Sequence, residues 1–201
     1  MVILIVGNSE IERRLEQKFA EEGHRAVRAA DAEEVTKLLG AEEKLDMLVL
    51  GGAAPAEKEN GGITAKPDWE RVQRLYAENA AGALCAVQKT FPCLERGTFK
   101  RICYLNPVCG SINACLTGED FGMRMSACAV NMQVTILYNR MRPLGYTFRL
   151  FGVREEADCE RQASAACWYF TRNRSVDAES ARHTDENRLV MRDMDGREIP
   201  F

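Results

Sequence analysis

The sequence Met1-Val-Ile-Leu-Ile-Val-Gly7 decides the fold, because it is an unbroken apolar run of strand length that ends at a glycine. A continuous apolar run is typical of a strand that is buried on both faces of a parallel sheet. A second run, Leu45-Asp-Met-Leu-Val-Leu50, leads into the small residues Gly51-Gly-Ala-Ala54. The two runs therefore predict two buried strands of an α/β protein.

The rest of the chain alternates between strand-like and helix-like patterns. Strands are predicted near residues 2–6, 24–29, 45–50, 100–105, 146–151 and 188–192. Helices are predicted near residues 9–22, 31–40, 67–95, 118–142 and 156–173. Because this alternation is typical of a mostly parallel sheet covered on both faces, we expect a doubly wound sheet of about six strands. The length favours a single domain over residues 1–201.

Composition and charge exclude several classes of function. The 201 residues include 27 basic and 30 acidic side chains, which give a net charge of −3, and no basic surface for nucleic acid is expected. No apolar run is long enough to cross a membrane. The apolar start is soon followed by Glu10 and Arg13, so we expect a strand there rather than a signal peptide. These features predict a cytoplasmic protein without a nucleic-acid or membrane partner.

The cysteines and histidines give no sign of a metal site. The eight cysteines are Cys85, Cys93, Cys103, Cys109, Cys115, Cys128, Cys159 and Cys167. Most lie in apolar patterns and are therefore predicted to be small buried side chains in a reducing compartment. None forms a Cys-x-x-Cys pair, and His24 and His183 are far apart in sequence. The spacing therefore predicts no metal ion and gives no support to a Cys-His or Ser-His-Asp centre.

The stretch Met123-Arg-Met-Ser-Ala-Cys-Ala-Val-Asn-Met132 resembles the catalytic helix of the short-chain dehydrogenase/reductase family. That helix has Tyr-x-x-x-Lys followed by small and apolar residues. In the family the tyrosine is the acid/base for hydride transfer, and the lysine lowers its pKa and holds the nicotinamide ribose. Met123 stands at the tyrosine position and Ala127 at the lysine position, and a thioether and a methyl group can do neither job.

Other stretches resemble family motifs in the family's order, up to about Gly152. Glu78-Asn-Ala-Ala-Gly82 is similar to Val-Asn-x-x-Gly, so Asn79 matches the family asparagine. The stretch at 101–112 resembles the strand that carries the catalytic serine, but Pro107 stands at the serine position. The resemblance implies a Rossmann-like fold without the catalytic residues. Asn79 is then expected to be a buried side chain that satisfies backbone groups.

The turn after the first strand is the candidate cofactor site. Dinucleotides bind where a glycine-rich turn lets the pyrophosphate approach a helix N-terminus. The candidate cofactor-binding residues are Gly7, Asn8, Ser9, Gly51 and Gly52. However, Ser9 and Glu12 form a predicted capping box, and the negative charge of Glu10 and Glu12 would cost a pyrophosphate on the order of 1–4 kcal/mol. The sequence therefore predicts no bound cofactor, with NAD(P) as the alternative.

Two further polar residues have alternative interpretations. Asp31 is a candidate for binding a ribose, but the following Ala32-Glu-Glu34 favours a helix N-cap with its own capping-box partner. Tyr104 lies within a predicted strand and is a candidate replacement for the missing phenol if it points into the pocket. It has no lysine four residues later.

Two segments are shorter than the family implies. Only about fifteen residues separate the second predicted strand from Leu45, where the family has a further strand–helix unit. Helix-like sequence resumes at Asp158, where the family has a segment that covers the substrate. A shortened adenosine side and a shortened lid are implied. The longest predicted loop, at 52–66, follows a strand's carboxyl end, where such sheets bind ligands.

The predicted helices at 67–95 and 118–142 carry apolar residues at helical spacing. On the first helix these are Leu75, Tyr76, Ala80, Ala83, Leu84 and Val87, and on the second they are Met125, Ala129, Met132, Ile136 and Met141. In the family these two helices pair across a two-fold axis into a four-helix bundle. Periodicity does not separate core from interface, so both interpretations stay open. Residues 188–201 resemble a final strand with a turn at Asp195-Gly196, and its role is open.

Two hypotheses about function follow. The loss of the serine, tyrosine, lysine, glycine-rich turn and lid predicts a non-catalytic scaffold or subunit of an oligomeric oxidoreductase. Its partner would be a second copy or an active paralogue. The alternative is an NAD(P)-dependent oxidoreductase that acts on a small carbonyl or alcohol substrate through displaced catalytic groups. Whether the chain is an enzyme stays open, and no substrate is predicted.

Overall fold

A computed structural model describes residues 1–40, 43–52, 68–116, 118–172, 185 and 188–201. The strands are β1 (Val2–Val6), β2 (Arg25–Ala29), β3 (Met47–Leu50), β4 (Arg101–Pro107), β5 (Thr147–Val153), β6 (Met191–Arg192) and β7 (Glu198–Ile199). The helices are α1 (Glu10–Glu21), α2 (Ala32–Leu38), α3 (Trp69–Tyr76), α4 (Ala83–Arg96), α5 (Phe121–Met141) and α6 (Cys159–Thr171).

The described strands form one sheet in the order β2-β1-β3-β4-β5-β6-β7. Neighbouring strands are parallel except for the antiparallel pair β6 and β7. The chain winds to one side of β1 to form β2 and to the other side to form β3, so a crevice opens between the carboxyl ends of β1 and β3. The predicted doubly wound, Rossmann-like fold is therefore confirmed.

Alternate residues of each central strand enter two separate apolar layers. In β1, Leu4 packs into the layer that contains α2, α4 and α5, whereas Ile3 and Ile5 pack against Leu15 and Phe19 of α1. Helix α6 belongs to this second layer. Because helices cover both faces of the sheet, successive residues of a strand point alternately into one apolar layer and then into the other. This explains the unbroken apolar run that opens the sequence.

The last predicted strand is two strands rather than one. A turn at Asp193–Gly196 joins β6 to β7, and its residue Gly196 has a φ of +76°, which favours glycine. The Asp193 carboxylate accepts hydrogen bonds from the backbone N–H groups of Asp195 (3.0 Å) and Arg197 (2.9 Å). The sheet therefore has seven described strands instead of about six, and the β6–β7 hairpin closes its far edge.

The helix predicted at 67–95 is interrupted by a π-helical segment at Ala77–Gly82, between α3 and α4. A π turn widens the helix by one residue and is frequent at functional sites. The buried Asn79 lies in this segment, and 3.6-residue periodicity alone does not reveal it. Most of the predicted 52–66 loop lies outside the described residues. None of the helices that the structure describes is long and apolar enough to cross a membrane.

The cysteine prediction is wrong for most of the thiols. Only Cys93, Cys103 and Cys167 are buried, Cys115 is exposed, and the other four are half-buried. The half-buried Cys85 packs at the edge of the layer that contains α4 and α5, and Cys115 lies in the loop between β4 and α5. All eight are free thiols. Within the described part of the chain, no three His, Cys, Asp or Glu side chains are placed to hold a metal ion.

Candidate functional site

Three cavities lie at the carboxyl edge of the sheet. The β1–β3 cavity, of about 740 Å³, lies in the crevice between β1 and β3 and against the π segment. The α1–β5 cavity, of about 380 Å³, lies between the start of α1 and the ends of β4 and β5. The α5–β5 cavity, of about 520 Å³, lies between the start of α5 and the end of β5. The sizes fall within the range of ordinary ligand pockets.

All five candidate cofactor-binding residues line the β1–β3 cavity. Three of these residues, Asn8, Ser9 and Gly52, also line the α1–β5 cavity. The turn after β1 therefore lies at the junction of the two cavities. The charged residues that line the β1–β3 cavity are Asp31, Glu33 and Glu78, and no lysine or arginine is found among the described residues of its lining.

The side chain of Glu12 fills the space beneath this turn. Gly7 has a φ of +149°, and a β carbon at Gly7 would lie 2.9 Å from Cγ and Cδ of Glu12. A β carbon at Gly51 would overlap Glu12 Oε1. The lack of a side chain at both positions therefore leaves the gap between α1 and the ends of β1 and β3 that the glutamate occupies.

The Glu12 carboxylate is bound by Ser9. Both the backbone N–H (2.7 Å) and the hydroxyl of Ser9 donate to Glu12 Oε2, which confirms the predicted capping box. Only 1% of Glu12 is exposed. Burial raises the pKa of Glu12, and the hydrogen bonds from Ser9 oppose that shift in part. An acidic group is thus held inside the protein at the start of α1.

The arginines near this turn are bound to protein groups. Arg13 Nη1 donates to the backbone oxygen of Asn8 (3.0 Å). Arg28 donates to Asn8 Oδ1 (2.9 Å) and to Glu16 (3.0 Å). Arg14 pairs with Glu10 at 2.7 Å. These contacts hold the turn in place and balance the charge of Glu10, and the charge of Arg28 also lowers the pKa of Glu12, although burial outweighs it.

Asp31 acts as a helix cap, as predicted. Its Oδ1 accepts hydrogen bonds from the backbone N–H groups of Glu33 (2.7 Å) and Glu34 (2.9 Å). Glu34 accepts in turn from the N–H of Ala30 (2.6 Å). The two N–H groups lower the pKa of Asp31, so its charge stabilises the first turn of α2.

Met123 and Ala127, which the family resemblance places at the tyrosine and lysine positions, are apolar and buried. Met123 and Ala127 are each 1% exposed, and neither lines any of the three cavities. The backbone at Gly110 packs directly on Ala127, because a β carbon there would lie 2.8 Å from Ala127 Cβ. Pro107, at the serine position, is half-buried at the end of β4. None of these side chains has a proton to exchange.

A buried pair of asparagines holds β4, α5 and the segment after β4 together. Asn106 Nδ2 donates to the backbone oxygen of Ala127 (3.0 Å) and to Asn131 Oδ1 (2.7 Å). Asn131 Nδ2 donates to the backbone oxygen of Gly110 (3.0 Å). The sequence analysis missed this contact. The sequence pattern that could have indicated it is the spacing of Asn131, which lies four residues after Ala127 and therefore on the same buried helix face.

The residues at the π segment and on β4 also have structural contacts. Asn79 is buried as predicted, and its Nδ2 donates to the Ser126 hydroxyl (2.9 Å), which donates to the backbone oxygen of Met123 (3.0 Å). Tyr104 lines none of the three cavities, so it is not placed to replace the missing phenol. It packs in the α4–α5 layer with its hydroxyl 3.2 Å from the side-chain amide of Gln133.

Two curated proteins match part of the sequence. The C-signal protein of Myxococcus xanthus is 30% identical over 79 residues, which is 39% of this chain and 48% of that protein. The uncharacterized oxidoreductase YKL071W of Saccharomyces cerevisiae is 33% identical over 76 residues, 38% of this chain and 30% of that protein. The matched regions thus span less than half the length of these curated relatives. No protein-family model matches the sequence.

Solved structures match over the whole chain. A Burkholderia multivorans protein described as a short-chain dehydrogenase/reductase, with bound NADP, has a TM-score of 0.74 at 15% identity and covers 100% of this chain and 99% of its own. A Pseudomonas aeruginosa carbonyl reductase in complex with NADP also gives a TM-score of 0.74 at 15% identity, with both chains fully covered. The protein therefore has the fold of the short-chain dehydrogenases and carbonyl reductases.

Proposed function

We propose that this chain is a catalytically inactive, shortened relative of the short-chain dehydrogenases that acts as a scaffold or subunit of an oligomeric oxidoreductase. The observation that carries the proposal is the burial of Met123 and Ala127, with Ala127 packed against the backbone of Gly110. Hydride transfer to or from a carbonyl needs an acid/base within hydrogen-bond reach of the reacting oxygen. Core packing occupies the place of that group.

Two shortened segments support the same proposal. Strand β2 is the edge of the described sheet, so no further strand lies on the adenosine side in that part of the structure. At the other end, residues 154–158 alone connect β5 to α6. A connection of this length is too short to form a lid over a bound substrate. Both features fit a protein that no longer turns over a substrate.

The fold implies NADP, and its diphosphate does not fit this turn as it stands. The Ser9 backbone N–H is already taken by the Glu12 carboxylate, and the β1–β3 cavity is lined by acidic and not by basic side chains in its described part. Arg13 and Arg154 line the adjoining α1–β5 cavity, but Arg13 is bound to Asn8 and Arg154 to Asp193. An anion at the turn would therefore meet negative charge that these cations do not fully offset. This supports the absence of a bound cofactor in the proposed function.

The outer face of α5 supports an association role. Its apolar residues Phe121, Met125, Met132 and Ile136, which we call the α5 stripe, are 42%, 47%, 61% and 58% exposed. The core side of the helix is formed by other residues, among them Val130 and Val134. Most of the apolar set predicted on this helix is thus not core, although Met141 is. Contiguous exposed apolar surface of this kind is typical of interaction sites.

We expect the α5 stripe to bind the same helix of a second copy or of an active paralogue. The double substitution Met132→Glu and Ile136→Glu should reduce the molar mass of the native assembly, measured by size-exclusion chromatography with light scattering. Trp168→Glu is the matched control, since Trp168 is also 58% exposed but lies on α6, across the sheet. A chain that stays monomeric, both alone and when purified from its own cells, would overturn the association role.

The alternative function is an NAD(P)-dependent oxidoreductase that acts on a small carbonyl or alcohol substrate with displaced catalytic groups. It is favoured by the NADP bound in the structural relatives and by the open β1–β3 cavity. Titration with NADPH, followed by nicotinamide fluorescence, separates the two functions. We expect no saturable binding at millimolar NADPH. Saturable binding together with turnover of a carbonyl substrate would replace the first proposal with the second.

A further inference from the structure

We propose that Glu12 is an internal ligand of the α1 N-terminus, and that its carboxylate occupies the position of a dinucleotide's diphosphate and excludes such ligands. The inference rests on the proposed function, in which the wild-type chain binds no NAD(P). It goes further by assigning this loss to one side chain. It also predicts that the β1–β3 cavity can still bind a nucleoside such as adenosine.

The position follows from the two cavities that meet at the turn. A dinucleotide consists of two nucleosides joined by a diphosphate, and it needs two pockets with an anion site between them. Among the described residues, the linings of the β1–β3 and α1–β5 cavities have Asn8, Ser9 and Gly52 in common. A ligand that filled both would have to place its diphosphate beside these residues, which is where Glu12 lies.

The hydrogen-bond donors of Ser9, at this junction, already have an acceptor. Backbone N–H groups at a helix start have no partner within the helix and bind anions readily. Here Glu12 Oε2 accepts both the backbone N–H and the hydroxyl of Ser9. The carboxylate makes the contacts that a phosphate oxygen would otherwise make.

The volume that Glu12 occupies and its negative charge both oppose the binding of a diphosphate. The carboxyl group of Glu12 lies against Gly7 and Gly51, so the gap that glycines leave between a strand and a helix is filled. Arg13 and Arg28 are bound to Asn8, and the charge of Arg28 already acts on the Glu12 carboxylate. An incoming diphosphate would meet both an occupied volume and a like charge.

Glu10 provides a control within the same helical turn. It carries the same charge, but it is exposed and pairs with Arg13 at 3.2 Å and with Arg14 at 2.7 Å. It fills no gap beneath the turn. If simple negative charge at the helix start excluded nucleotides, Glu10 and Glu12 would have similar effects.

The test compares wild type with Glu12→Ala, Glu12→Gln and Glu10→Ala by calorimetric titration. The ligands are NADPH, ADP-ribose and adenosine. Glu12→Ala should bind NADPH and ADP-ribose at least about tenfold more tightly than wild type. Glu12→Gln should gain less, because its amide oxygen still accepts from Ser9. Adenosine has no diphosphate, so its affinity should be the same in all four proteins. Glu10→Ala removes a charge but opens no gap, so its gain for NADPH should be clearly smaller than that of Glu12→Ala.

The outcomes separate the inference from the proposed function. Circular dichroism establishes which variants are folded, and if Glu12→Ala does not fold, Glu12→Gln carries the test. The inference is wrong if no folded Glu12 variant gains affinity for NADPH. It is also wrong if Glu10→Ala gains as much, or if adenosine affinity rises in parallel. Tight binding of NADPH by the wild type would overturn the proposed function as well, whereas failure of the variants alone would leave it intact.

Discussion

Two parts of the sheet's carboxyl edge differ in how they are closed: the turn after β1, which we call the nucleotide side, and the region of Met123 and Ala127, which we call the catalytic side after the proposed function. On the nucleotide side a cavity of about 740 Å³ remains, and the obstruction is the side chain of Glu12. On the catalytic side Met123 and Ala127 are part of the core, and neither lines a cavity. A binding site can thus be closed by one side chain that is easily replaced. A catalytic centre that has become core packing cannot be restored by exchanging the missing residues alone.

The largest effect is expected from restoring the catalytic pair. The double substitution Met123→Tyr and Ala127→Lys should destabilise the protein by about 3–5 kcal/mol, because it overpacks the site and buries an ammonium group without a partner. Ala127 Cβ lies directly beneath the Gly110 backbone, so the lysine side chain has no path outward. Urea unfolding measures the loss.

The matched control for this substitution is Ala129→Lys. Ala129 lies two residues further along α5 and is half-buried, so its lysine can reach solvent with a small loss of stability. A stable Met123→Tyr/Ala127→Lys protein that reduced carbonyls with NADPH would contradict the comparison. It would show that the catalytic side is as easily reopened as the nucleotide side.

The fold could be predicted from the sequence because its signals are local. The apolar run of β1, the capping box at Ser9, the N-cap at Asp31 and the turn at Asp195-Gly196 each depend on neighbouring residues. The direction of Tyr104 could not be predicted in the same way. A strand buried on both faces has no alternation of apolar and polar residues, so the sequence does not reveal which side chains face which layer.

The candidate site was predictable only in part, for a related reason. Gly7 and Gly51 could be placed at one edge because each follows a buried strand, and parallel strands end at the same edge. The contact of Glu12 with Gly51 depends on how α1 sits relative to β3, and no local pattern specifies that. The capping box correctly predicted that Glu12 binds Ser9, but not that its carboxylate is buried between two strands.

A smaller effect is expected from the asparagine pair of the catalytic side. Asn131→Leu should lower the free energy of unfolding by about 1–3 kcal/mol. The buried backbone oxygen of Gly110 would lose its donor, and the side-chain amide of Asn106 would lose one acceptor. Urea unfolding again provides the measurement. Asn139→Leu, on the exposed side of the same helix, should change stability by less than about 0.5 kcal/mol. Equal effects of the two substitutions would mean that the catalytic side is not held by this buried contact.

The smallest effect concerns the nucleotide side, where the Glu12 carboxyl group changes its protonation with pH. Burial raises the pKa of Glu12 above its ordinary value of 4.5, so the folded protein holds this proton more tightly than the unfolded chain. The stability that Glu12 contributes is therefore fully present below pH 4.5 and is lost as the pH rises through the raised pKa. Glu12→Gln should remove this decline.

The measurement is the difference in unfolding free energy between wild type and Glu12→Gln, from urea denaturation at several pH values between about 4 and 8. Glu10→Gln is a control of opposite sign. Hydrogen bonds from Arg14 and Arg13 lower the pKa of Glu10, so its contribution is present at higher pH and is lost as the pH falls. Parallel pH profiles for wild type and Glu12→Gln would mean that the carboxylate is not held in a desolvated site. Solvent would then reach the position at which we propose that Glu12 closes the nucleotide side.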